Sequence, residues 1–175
     1  MGDLLLAEGE REKAAEQYRE KLTLWERLTA RYPDNASDVC DLAWFLAVCA
    51  DPRFRDPARA VSLAQRVVNQ IPQNATFWNT LGVAQYRAGR WREAVTALQK
   101  SMALKKGGDR YDWLFLAMAH CQLGEKEAAR SWYDKAAKEL KKFEYPREEE
   151  GRWRTEAAVL LKIESWGSTS EPKQR

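Results

Sequence analysis

The sequence predicts an all-α fold, a solenoid of antiparallel helix pairs, and three observations predict it. The first is residue type. Ala, Leu, Glu, Lys, Arg and Gln dominate while Val, Ile and Thr are sparse, a balance that favours helix over sheet. The second is a repeat. Trp78-Asn79-Thr80-Leu81-Gly82 and Trp113-Leu114-Phe115-Leu116-Ala117 lie 35 residues apart (113 − 78), and Gly89/Gly124 and Ala94/Ala129 keep the same offset. The third is that each apolar column falls at helical spacing, with breakers between the columns.

Taken in order, residues 1–33 read as a partial repeat. Gly9, Ala14 and Tyr18 match the turn glycine, the small residue and the aromatic of the later copies, and Pro33 closes a long helix. The first helix of that repeat would begin before residue 1, so the expectation is a chain cut from a longer protein or one that starts inside a repeat. Residues 34–72 form the next repeat, with Leu42 and Ala43 in its first helix and Ala60, Ala64 and Val67 in its second. Its internal turn carries extra residues from Asp51 to Pro57, where Asp56 is placed to cap a helix and Pro57 to start it. Residues 74–107 and 109–142 are the two clearest copies, with Gly107-Gly108 as the joint between them. Residues 147–164 read as an amphipathic capping helix with Trp153, Ala157, Leu160, Leu161 and Glu164 on one face. The tail 165–175 has no core-forming residues and is expected to be disordered.

Composition excludes several function classes. The 29 basic and 26 acidic residues nearly cancel, which argues against a dedicated phosphate-backbone binder. Cys40, Cys49 and Cys121 form no C-x-x-C pair and read as reduced thiols, so a cytoplasmic location is expected. No apolar stretch approaches the roughly 20 residues of a membrane helix. The single histidine, His120, falls at a core-facing position, and no metal or cofactor site is expected. Neither a phosphate-cradling glycine loop nor a nucleophile elbow occurs, so no catalytic residue is assigned and the chain is not expected to be an enzyme. Glu148-Glu149-Glu150 reads as a helix N-terminus, and Arg53, Arg55, Arg59 and Arg66 as a basic, solvated patch.

The columns Trp78, Leu81, Gly82, Gly89, Ala94, Leu98 and their partners Trp113, Leu116, Ala117, Gly124, Ala129, Tyr133 resemble the tetratricopeptide-repeat (TPR) family. The resemblance spans most of residues 4–164. The wording of DPRFRDPARAV, WNTLGVAQYRAG and DWLFLAMAHCQLGEKEAA is similar to TPR arrays of large bacterial multidomain proteins, linked there to kinase or β-propeller domains. The family implies a right-handed superhelix and a protein-interaction scaffold, here a regulatory or assembly arm. It also implies a concave groove lined by the first helix of each repeat.

Carried over position by position, the groove residues are Cys40 and Trp44; then Thr76, Asn79, Val83, Tyr86 and Arg87; then Tyr111, Leu114, Met118 and Gln122. The Lys/Asn clamp used by relatives that grip acidic chaperone tails is missing, since Cys40, Asp41, Trp44, Tyr111 and Phe115 stand there. The expected partner is therefore a protein or peptide with an apolar or amphipathic segment. Two alternatives stay open. Trp44, Tyr86 and Met118 are also the residues that a neighbouring repeat or another part of the protein would pack. RNA binding by helical repeats is the other functional reading, although the groove has no repeated polar pair to read bases. Self-association through the truncated first repeat is a further expectation.

Overall fold

Eight α-helices and one short 3₁₀ turn make up the described part of the chain, residues 10–142 and 148–163 of a computed structural model, with no strand among them. The helices are α1 (Arg11–Arg31), α2 (Ala36–Val48), α3 (Pro57–Gln70), α4 (Ala75–Arg87), α5 (Trp91–Leu104), α6 (Arg110–Gln122), α7 (Lys126–Leu140) and α8 (Glu148–Leu160). Gly9, Arg147, Glu164 and the tail 165–175 lie outside the described residues.

Each pair begins with the same device. Asn35, Asn74 and Asp109 accept backbone N–H groups of the first turn of α2, α4 and α6, and Asp112 completes a capping box on α6. Two pairs turn on a left-handed glycine, Gly89 at φ 75° and Gly124 at φ 79°. The first full pair turns differently. Asp51 caps a 3₁₀ turn at Pro52–Phe54, and Asp56 caps α3 with Pro57 at its first position. Two bonds brace this longer turn: the Asp56 N–H donates to the Leu46 carbonyl at 2.9 Å, and Arg55 Nε donates to the Cys49 carbonyl at 2.6 Å.

The helices of a pair approach closely because small residues face each other. Ala43 and Ala60 are fully buried in the first pair, as are Ala94 in the second and Ala117 in the third. At Gly82 a Cβ would stand 2.6 Å from Leu98 Cγ and 3.2 Å from the Ala94 carbonyl oxygen. Successive pairs then stack, with α4 against α3 and α2, and α6 against α5 and α4, so that one buried cluster runs from Ala14 to Ala157. At its start α1 packs on α2, where Trp25 meets Phe45 at 5.4 Å and Tyr18 meets Phe54 at 5.7 Å.

The repeat tryptophans pack at the edge of the core. Trp78 and Trp113 are half-buried, and each indole N–H reaches back to a carbonyl of the preceding joint, Pro72 at 2.8 Å and Gly107 at 3.1 Å. An indole must satisfy its N–H, and the joint carbonyls have no helical partner, so the ring settles over the joint. No helix among the described residues is long and apolar enough to cross a membrane.

The close approach sets the first prediction. Gly82→Leu should overpack the α4–α5 interface and cost about 1–3 kcal/mol, read as a lower midpoint in urea denaturation. Gly89→Ala meets no atom and should cost only the strain of its positive φ.

Candidate functional site

Because α2 packs beside α4 and α4 beside α6, the first helices of the three pairs line one face of the stack. The residues expected to line a groove there separate into three groups. Val83, Leu114 and Met118 are wholly buried with α8 in place. Tyr86, Arg87 and Gln122 stand together at one end: Tyr86 hydrogen-bonds Gln122, and its ring meets Phe115 edge-on at 5.6 Å. Cys40, Trp44, Thr76, Asn79 and Tyr111 stand at the other end, around an open cleft.

What divides the two ends is α8. This helix lies across the groove, and its contacts reach beyond the last pair back to α2 and α4. Trp153, 2% exposed, stands edge-on to Trp44 at 5.5 Å, to Tyr111 at 5.6 Å and to Phe115 at 5.4 Å. Three residues earlier, the buried Glu150 accepts from Arg110 Nη2 and from the Tyr111 hydroxyl, both at 2.7 Å. Three residues later, Glu156 takes Arg87 in a two-bond fork at 2.5 and 2.8 Å. Cys121 Sγ donates to the Leu160 carbonyl at 3.4 Å. The expected apolar face of this helix is partly as read, with Trp153 and Ala157 buried and Leu160 and Leu161 half-buried.

Charges follow from this packing. The hydrogen bond to Glu150 raises the Arg110 pKa above the ordinary arginine value. Burial lowers that of Arg55, and the nearby Arg87 guanidinium lowers it further, while Glu156 opposes both. Arg55 therefore belongs to the same charged group as Arg87 and Glu156, although it comes from the extended turn. Burial, with the Glu156 charge, pushes the Tyr86 hydroxyl up to about 12.

The remaining cleft has a volume of about 340 Å³. Trp44 and Tyr111 form its aromatic wall; Asp41, Thr76, Asn79, Lys105, Asp109 and Glu149 supply polar groups. Its floor is fixed by a buried network. Asn79 Nδ2 donates to Asp112 Oδ1 at 2.7 Å, and Lys105 Nζ donates to Asp109 and Asp112 at 2.6 and 3.2 Å. Cys40 Sγ and Thr80 Oγ1 share a hydrogen bond of 3.2 Å. Burial, and the charge of Asp38, raise the pKa of Asp41 at the cleft mouth, and Lys21 opposes them.

Other residues singled out in the sequence take bland places. His120 is not in the core between repeats; it is half-buried and its Nδ1 bonds the Glu125 carboxylate across the turn. The basic patch is paired: Arg53 with Asp51, Arg59 with Glu26, Arg66 with the Pro33 carbonyl, and Arg55 with the Cys49 and Ala50 carbonyls. Among the described residues no group of three or more His, Cys, Asp or Glu could hold a metal ion. Glu150, Glu156, Arg55 and Arg110 were missed as groove residues. For the two glutamates the signal was the spacing Glu150-x-x-Trp153-x-x-Glu156, which puts two carboxylates and an indole along one side of a helix; Arg55 and Arg110 had none.

Cys40 gives a pH prediction. Burial pushes its thiol from 9.0 up to about 11. As pH rises past 9 the unfolded chain loses this proton first, so stability falls and levels off only above pH 11. At pH 10 the loss is about 1 kcal/mol. Urea titrations at pH 8 and 10 should show it in the wild type and not in Cys40→Ala.

Comparison with known proteins agrees with this architecture. Residues 47–109 match the tetratricopeptide-repeat family. Among solved structures, MamA AMB-1 gives a TM-score of 0.54 at 24% identity, covering 78% of this chain and 73% of its own. Another MamA structure gives 0.56 at 17% identity, over 92% of this chain and 88% of that one. At such identities the likeness speaks for the fold alone. None of the curated proteins matches. The repeat columns, the capped and stacked helix pairs and the family match over residues 47–109 together give the chain the fold of a tetratricopeptide-repeat solenoid.

Proposed function

We propose that the chain is a protein-interaction scaffold that holds a peptide or helical segment of a partner on its concave face. The observation that carries this reading is the open cleft of about 340 Å³ between the first helices of the three pairs. A side chain entering it meets Trp44 and Tyr111, residue types that often anchor an interface. Asn79 is fixed in orientation by Asp112, and Thr76 and Asp41 are exposed at the mouth. A pre-set wall with a few oriented polar groups suits recognition, because little ordering is required on binding. The cleft holds no acid–base pair beside a nucleophile: its one buried thiol is hydrogen-bonded and kept protonated. That supports binding over catalysis.

The test uses plugs at exposed positions, so that the fold is untouched. Asp41→Arg with Thr76→Arg places two long side chains across the cleft mouth. Wild-type and doubly substituted chains would be used as baits in a lysate of the source cells, with circular dichroism as the folding control. The expected outcome is one or more proteins held by the wild type and lost by the variant. Equal capture by both would move the binding surface off the concave face. Capture of nucleic acid in place of protein, lost as salt is raised, would favour the RNA reading.

A further inference from the structure

We propose that the concave groove is built for a partner helix that carries an aromatic anchor with a carboxylate three residues before it and another three residues after it. On this proposal α8 is the chain's own copy of that ligand, occupying the seat until such a helix displaces it. The proposal rests on the reading of the concave face as the binding surface and deepens it by naming the occupant.

The placement of α8 is the first argument. In the regular stack each new first helix rests on both helices of the preceding pair, as α4 rests on α3 and α2. A helix that only closed the end of the stack would sit on α7 and α6 in that way. Instead α8 packs chiefly on α6, less on α7, and sends Trp153 to Trp44 of α2 and Glu156 to Arg87 of α4. It lies where a bound helix would lie.

The chemistry of the contact is the second argument. Covering an apolar end needs only apolar side chains, yet α8 buries Glu150 to 1% exposure. A carboxylate is costly to desolvate unless a matched partner waits for it. Here one does: Arg110 and the Tyr111 hydroxyl hold Glu150, and Arg87 forks Glu156 with Arg55 nearby. The groove thus presents positive charge at both ends of an aromatic box made by Trp44, Tyr111 and Phe115. Charge at both ends fixes the direction and register of a helix, and the box between them takes one large ring. This specifies a ligand pattern, carboxylate-x-x-aromatic-x-x-carboxylate.

The third argument is the small apolar area that α8 commits. Only Trp153 and Ala157 are buried apolar side chains on it, while Val159 is 71% exposed. Ala158 and Leu160 are half-buried against the core, so its hold combines this edge packing with the matched charges, one buried ring and the high effective concentration of a tethered segment. A free helix with the same pattern competes against that tether.

The experiment supplies the ligand in trans to the full chain. A fluorescent synthetic peptide of residues 147–163 is titrated into the wild type and into an opened variant, Trp153→Ala with Glu156→Gln. The expected result is binding to the opened variant at least tenfold tighter than to the wild type. A peptide lacking the ring, Trp153→Ala, should bind neither chain, and Arg87→Glu with Arg110→Glu in the opened chain should abolish binding. An opened variant that keeps its helical signal but takes the peptide no better than wild type would overturn the proposal. So would loss of the helical signal in that variant together with wild-type exchange in which α8 amides open only with the whole solenoid. Hydrogen exchange on the wild type is the independent check, and at least tenfold faster exchange in residues 149–160 than in α4 is expected. A wild-type dimer formed by exchanging α8 would overturn the assignment to a partner in favour of a second copy. These outcomes are separable from failure of the scaffold reading, which shows as lysate capture that ignores the cleft plugs.

Discussion

Close approach of the two helices within each pair is the constraint on which the rest of the structure depends. At Gly82 there is no room for a single added carbon, because Leu98 already occupies that space. Ala43, Ala60 and Ala117 keep the other interfaces narrow in the same way. With the pairs this thin, each first helix lies directly beside the next, and three of them form one continuous face. Wider pairs would splay α2, α4 and α6 apart, and no single ring could touch α2 and α6 together. The aromatic box around Trp153 is therefore a distant result of a missing side chain on α4.

Most of the solenoid was legible in the sequence because its signals are local and repeated. The turn glycines and the small-residue columns each act within a few positions of the chain. Asp56 and Pro57 announced the start of α3 even inside a turn that departs from the repeat pattern, and the structure has both in those roles. The tryptophans were harder to place. Their spacing marks the repeat, but spacing does not show that an indole N–H would seek a joint carbonyl, which is a matter of which acceptors are left over.

The site was less legible, for a different reason. A position-by-position reading of α4 and α6 puts Val83, Leu114 and Met118 in a groove-facing stripe, and all three are wholly buried in the folded chain. Burial there depends on what packs over each helix, which no single helix encodes. The path of α8 is less local still. Glu148, Glu149 and Glu150 read as an ordinary acidic helix start, and nothing in that run says that Glu150 meets Arg110, forty residues away (150 − 110). Charged pairs across such a distance become visible only when the fold has brought them together.

The longer turn between α2 and α3 has a consequence for how such a scaffold can diversify. Its Arg55 is pinned to the Cys49 and Ala50 carbonyls and lies within electrostatic reach of Arg87 and Glu156. The inserted residues thus form a stiff outrigger, not slack chain, and they deliver a charge to the rim of the groove without disturbing the α2–α3 packing. Selectivity for a ligand's charge is in this way uncoupled from the stability of the stack. A repeat protein of this kind can change what its rim attracts by editing a few residues in one turn, while the columns that hold its helices together stay as they are.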